Sequence, residues 1–238
     1  KEILSFGLFV FVGGASVIIV TRLDMMMIGS MLDLEQVAFY TVAFFIGNAI
    51  KVPGKSIASI SFPLVAKAWE EQDYTQIKTL YTKSSINQLI IGGVFFLCIW
   101  LNIDDIFSLL PTKFQGGKWV VFYIALAQLF NVGAGLNGTI IVTSKYYRYD
   151  LYTNVILVFV TIITNYLLIP ESSPLSSYGI VGINGAAFAT AISVLLFNLI
   201  RLILIKVKFS IQPFSIKTLY TLVLLAVIYS LSNYIPIS

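Results

Sequence analysis

Lys51 and Lys55 stand four residues apart in the apolar run AFFIGNAIKVPGKSIASISFPLVAKAW (43–69), with Pro53 between them. On a helix this spacing puts both ammonium groups on one face, which continues through Ser59 and Phe62. Paired cations on one face repel each other unless an anion lies close, so the chemistry they offer is anion binding. At about 1.5 Å per residue, Lys55 lies roughly 18 Å from Lys67, too far for its side chain to reach the aqueous end of the run. A lysine held at that depth in a bilayer costs about 2.5–3.5 kcal/mol. Two readings stay open. Either the lysines line a water-filled cationic cavity, or they are structural, neutralised by carboxylates on neighbouring helices or deprotonated. Acids are scarce, since Asp24 alone is expected to lie well inside an apolar segment.

A second constellation is VTRLDMMMIG (20–29), with Arg22 and Asp24 two residues apart. They point to different sides of a helix and do not pair directly. Arg22 can partly snorkel outward, whereas Asp24 is too short to do so. Asp24 is therefore expected either to form a salt bridge across helices or to bind a coupling cation or proton. Other polar residues within apolar segments are Asn48, Asn87, Gln88, Gln128, Asn131, Asn137, Asn154, Asn165, Asn184 and Asn198. Most are expected to bond between helices. Gln128, Asn131 and Asn137 share one glycine-rich segment and are candidates to line a polar path. Pro53 frees the carbonyl of Ala49 and predicts a kink, and Gly133 and Gly135 are candidate hinges.

Catalytic chemistry is poorly supplied. The chain has no histidine, which removes the usual metal ligand and general base, and Cys98 is its single cysteine. No catalytic residue, metal site or cofactor is expected, and the chain does not read as an enzyme. Coupling to sodium or protons stays open.

The elements that must position these groups follow from composition. Of 238 residues, 58% are hydrophobic and 11% charged, with a mean hydropathy of +0.91, far from the quarter charged of soluble domains. The apolar runs are long and continuous, which specifies helices over a barrel. Seven segments are expected, at roughly 3–30, 37–66, 85–103, 118–144, 151–170, 178–205 and 215–235, giving an all-α polytopic bundle of about seven transmembrane helices. The linker 67–85 suits an interfacial helix or a solvated loop, and 102–119 carries Pro and Gly punctuation. If the helices alternate, Lys1, Lys67, Lys78, Lys83, Lys145, Arg148, Arg201, Lys206, Lys208 and Lys217 share one side, against Lys113 and Lys118 on the other. That bias places the N-terminus in the cytoplasm. The chain opens on Lys1 without a methionine or signal pattern and reads as a piece of a longer protein. Small-residue clusters at 13–17, 92–94, 132–138 and 182–193 are expected where helices touch.

FGLFVFVGGASVIIVTRLDMMMIGSMLDLEQVAFYTVAFFIG resembles the opening of the second half of oligosaccharide flippases. These form the polysaccharide-export branch of the multidrug/oligosaccharidyl-lipid/polysaccharide (MOP) exporter superfamily. FPLVAKAWEEQDYTQIKTLYTKSS is similar to the linker of that family, and TNYLLIP, YGIVGINGAAFATAIS and NLIRL to the helix pair near its end. Many relatives carry a basic residue beside the aspartate that matches Asp24; here Met25 follows it and the arginine is at 22. The resemblance implies a MATE-like two-lobed transporter with a central cavity. Residues 1–205 would be its second six-helix bundle and 206–238 an additional C-terminal transmembrane helix, with the N-terminal bundle of the same chain absent. It also implies a multi-pass protein of the bacterial inner membrane. Such a protein flips lipid-linked (undecaprenyl pyrophosphate) oligosaccharide between leaflets for surface polysaccharide or O-antigen synthesis, by alternating access. Lys51 and Lys55, with Arg22, would then hold the anionic diphosphate. Its partners would be that substrate and membrane lipids, not nucleic acid. The rivals are a multidrug or cation antiporter of the same fold, and a membrane polysaccharide polymerase or ligase. The antiporter calls for more acids in the lumen, and the enzyme for a larger outward loop than 102–118, where Asp104 and Asp105 are the only candidate acids.

Overall fold

The structure, a computed structural model, describes Gly7 and residues 22–232. Most of the first apolar segment, including the small-residue cluster at 13–17, lies outside the described residues. Its visible end is helix α1 (22–31). Asp33 caps the next helix, accepting a hydrogen bond from the Gln36 amide at 2.7 Å, and α2 runs Leu34–Asn48. A 3-10 turn, Ala49–Lys51, leads into α3, Val52–Glu70, with Pro53 in its first turn. The Ala49 carbonyl does not stay free: it accepts from the Val52 amide in the tighter 3-10 pattern. The chain thus crosses this region as one 37-residue path with a break at 49–51.

The expected linker 67–85 is helical apart from a short turn, its second part continuing into the next apolar helix. After a turn at 71–73, Asp73 accepts from the Gln76 amide at 2.8 Å, and α4 runs without interruption from Tyr74 to Leu101. Two short elements follow, α5 (Ile103–Ser108) and a 3-10 stretch (Thr112–Gly117). The expected single segment 118–144 is broken into α6 (Lys118–Gly133) and α7 (Asn137–Val142). At the break Gly135 takes φ +72°, a left-handed conformation that a residue without Cβ adopts at no steric cost. Then come α8 (Arg148–Leu168), α9 (Gly182–Phe209) and α10 (Ile216–Ser232).

Among the described residues there is no strand, and the architecture is an all-α helical bundle. Among the described residues, four helical stretches are long and apolar enough to cross a membrane: Leu34–Glu70, Tyr74–Leu101, Arg148–Leu168 and Gly182–Phe209. Large apolar side chains such as Phe45, Ile60, Phe159, Ile163 and Ile203 face outward, the reverse of a water-soluble surface. One core gathers Ile28, Tyr40, Ala43, Val121, Ile124 and Ala186 from α1, α2, α6 and α9. A second gathers Val65, Ile77, Tyr81, Leu136, Ile140 and Ile205 from α3, α4, the α6–α7 break, α7 and α9. The α8–α9 pair closes so tightly that a Cβ on Gly185 would overlap the Leu168 carbonyl, the close backbone approach that small residues permit in a bilayer.

Candidate functional site

Asp24 is the best-defined polar site. Only 2% of it is exposed, and three neutral donors from three helices converge on its carboxylate. Tyr40 Oη (α2) and Thr190 Oγ1 (α9) donate to Oδ2 at 3.0 and 2.5 Å, and Asn165 Nδ2 (α8) donates to Oδ1 at 2.6 Å. No Lys or Arg among the described residues reaches Asp24, so the salt-bridge alternative has no partner there. Arg22 is exposed, within reach of the Met25 sulfur at 4.0 Å. Asn165 Oδ1, on the amide that donates to Asp24, and Thr161 Oγ1 are buried without a hydrogen-bond partner among the described residues. These two residues lie one turn apart on α8. A buried carboxylate next to an amide with an orphaned oxygen offers hard oxygen donors to a small cation.

Lys51 ends the 3-10 turn and is partly buried, while Lys55, one turn on in α3, is exposed. Neither has a carboxylate within ion-pair distance among the described residues. Two acidic groups inside the bundle are already committed, Asp24 to its neutral donors and Asp150 to an arginine. The two lysines thus stand in and just after a locally rewound turn of helix with no acid committed to them among the described residues.

The expected polar path is not an open lining. Gln128 and Asn137 are buried, and Asn131 belongs to the same bonded chain. Tyr81 Oη (α4) donates to Asn137 Oδ1 at 2.6 Å, and Asn137 Nδ2 donates to Asn198 Oδ1 at 3.1 Å. Asn198 Nδ2 in turn donates to Asn131 Oδ1 at 3.0 Å, and Asn131 Nδ2 reaches Gln128 Oε1 at 3.3 Å. In a low-dielectric interior such amides are costly alone and satisfy one another. The break they flank is braced as well, since Ser85 Oγ donates to the Gly133 carbonyl at 2.5 Å.

Arg201 and Asp150 form a site that the sequence pattern did not announce. Arg201, expected at the cytoplasmic end, is buried and pairs with Asp150 through Nη2. Its Nε donates to Thr153 Oγ1 at 3.2 Å, and Nη2 also reaches Asn154 Oδ1 at 3.1 Å. The guanidinium lies 4.0 Å from the centroid of Phe197. A signal was present: Arg201 sits inside LLFNLIRLILI, with apolar residues on both sides. Tyr40 and Thr190 gave no such signal, being ordinary residues of apolar helices.

No group of three or more His, Cys, Asp or Glu side chains that could share a metal ion occurs among the described residues. No curated protein and no solved structure compared with the chain matches it. The MatE family model matches residues 10–167, well over half of the chain. With its membrane-length apolar helices, the chain belongs to the MatE family and is a multi-pass membrane transporter of the MATE/MOP type.

Proposed function

We propose that the protein flips lipid-linked oligosaccharide, on an undecaprenyl pyrophosphate type of carrier, from the cytoplasmic to the outer leaflet of a bacterial inner membrane. In this reading the chain is the second bundle of a two-lobed alternating-access transporter, its N-terminal end faces the cytoplasm, and the glycan feeds surface polysaccharide or O-antigen. The supporting observation is the Lys51–Lys55 turn, which carries two cations with no carboxylate partner among the described residues. A diphosphate crossing a low-dielectric core needs such charge. Lysine supplies it as a compact point donor. Substrate binding offsets the lysines' desolvation, so the site is more stable loaded than empty. Arg22, on the exposed side of α1, adds a third cation to the same role.

Asp24 is the coupling-ion site in this reading. Its carboxylate, bonded to Asn165 of α8 whose Oδ1 is unpartnered among the described residues, takes either sodium or a proton. Because its partners come from α2, α8 and α9, a change of its charge acts on the packing of all three.

The test is complementation of a flippase-deficient strain by the full-length protein with Lys51→Gln, Lys55→Gln or both, with surface glycan scored against membrane abundance. Loss of glycan at normal abundance is expected. Wild-type glycan from the double variant would remove the cationic subsite and the reading built on it.

A further inference from the structure

Gln88 of α4 is 5% exposed, and its Nε2 has no hydrogen-bond partner among the described residues. Its amide lies against Gly54 in the first turn of α3, where an added Cβ would stand 2.8 Å from Gln88 Oε1. Gly54 presents no Cβ, which is what lets the amide come this close to the α3 backbone. In the sequence Gly54 follows Lys51 by three residues and immediately precedes Lys55. The amide therefore meets α3 at the turn that carries both ammonium groups.

The surroundings of that contact are apolar and close-packed. A Cβ added to Gly54 would lie 3.3 Å from a Val132 methyl. One added to Gly92, a turn beyond Gln88 on α4, would lie 2.8 Å from the other Val132 methyl and 3.4 Å from Ile50. Ile50 and Val132 belong to one buried apolar cluster. An amide N–H left without an acceptor in such a place lowers stability, and an apolar side chain of similar size would not. Gln88 thus holds unspent donor capacity beside two cations that have no acid of their own.

We infer that Gln88 is a specificity-determining residue of the cationic turn, its amide reserved as a directional donor to a diphosphate that Lys51 and Lys55 attract. The inference rests on the lipid-carrier reading above and adds how a diphosphate carrier is told from a monophosphate one. Ammonium groups attract an anion from any direction, whereas an amide N–H bonds only an oxygen placed in line with it. One phosphate is enough for the lysines. A diphosphate brings a second set of oxygens for the amide, which turns to meet them about its terminal torsion, a soft one in glutamine.

The experiment uses the full-length protein in micelles, titrated with undecaprenyl diphosphate and undecaprenyl phosphate and read by native mass spectrometry. Wild type should prefer the diphosphate. Gln88→Leu should lower diphosphate affinity about ten-fold, the scale of one hydrogen bond to a charged group, and leave monophosphate affinity within about two-fold. Lys51→Gln/Lys55→Gln should lower both. The ligand-free Gln88→Leu protein should melt no lower than wild type, because the change removes an orphaned donor. Gln88→Met, unbranched and apolar, repeats the measurement if the leucine variant does not fold. Equal loss for the two carriers, or a lower melting temperature with unchanged affinities, would mean that the amide serves the packing alone and would overturn the inference. So would a wild type without preference between the carriers. A wild type that binds neither carrier would remove the lipid-carrier reading and the role of Gln88 with it, whereas a preference that survives Gln88→Leu removes only the latter.

Discussion

Arg201 and Asp150 form a buried ion pair between α9 and α8, with only 9% and 16% of their side-chain surfaces exposed. Thr153, Asn154 and Phe197 complete the guanidinium's surroundings. A pair of this kind is held by geometry more than by net attraction, because both charges have left water. Arg201→Met strands Asp150 and should destabilise the purified protein by about 3–5 kcal/mol. The double variant Arg201→Met/Asp150→Leu removes both charges and should recover most of that loss. Thermal unfolding in micelles reads the difference. A double variant no better than the single one would show that the pair has a favourable net energy of its own.

The amide chain across α4, α6, α7 and α9 contributes less per bond. Tyr81→Phe removes the donor to Asn137 Oδ1, a 2.6 Å bond in the buried interior, and keeps the ring in its core cluster. Interhelical hydrogen bonds in membranes average about 0.6 kcal/mol, with a maximum near 1.7. A loss in that range is expected by reversible unfolding in mixed micelles. A loss beyond 3 kcal/mol, roughly twice that maximum, would mean that the hydroxyl supports the whole chain of amides.

The all-α bundle was legible because length and hydropathy are written locally, in runs that only a membrane helix can use. Its interruptions were half legible. Pro53 announced a break, but the tightening at 49–51 that re-satisfies Ala49 depends on backbone geometry downstream of the sequence pattern. The break at 134–136 fell inside an expected single segment, where Gly133 and Gly135 were candidate hinges, but Gly135 is compatible with either conformation until tertiary packing chooses. Asp24 was readable as a buried carboxylate, yet its partners Tyr40, Asn165 and Thr190 are 16, 141 and 166 residues away. Periodicity within one helix carries no record of which distant hydroxyl will face it. The same holds for Arg201, whose charge suggested an aqueous end, while its partner Asp150 lies across the α8–α9 contact.

Gly135 and Gly133 bracket the end of α6 and should respond differently to the same change. Gly135 has φ +72°, and an added Cβ would sit 3.1 Å from Ser85 Cβ. Alanine there should cost about 1–2 kcal/mol from the left-handed backbone alone. Gly133 is helical, and an added Cβ meets only a Leu89 methyl at 3.2 Å, so Gly133→Ala should stay within about 1 kcal/mol of wild type. Paired melting curves give the comparison. Equal costs at the two positions would mean that the left-handed break is not specified by its glycine.

Asp24→Asn tests the coupling assignment. The substitution keeps an acceptor and nearly the same volume, and the Tyr40 and Thr190 hydroxyls can turn to accept where they now donate, so the protein should still reach the membrane. What it removes is the charge. A ligand bound only by the folded state stabilises it by about 2.7 kcal/mol at a hundred times its dissociation constant. If sodium is that ligand, wild-type protein should melt higher in sodium chloride than in choline chloride, and Asp24→Asn should show no difference between the salts. If a proton is the ligand, wild type should gain stability as pH falls, regardless of salt, and Asp24→Asn should lose that pH response. Melting curves in the two salts at pH 6 and pH 8 separate these cases. A wild-type protein indifferent to both salt and pH, or an Asp24→Asn protein that keeps the wild-type response, would remove Asp24 from the coupling role. The carboxylate would then be a structural acceptor joining α1 to α2, α8 and α9.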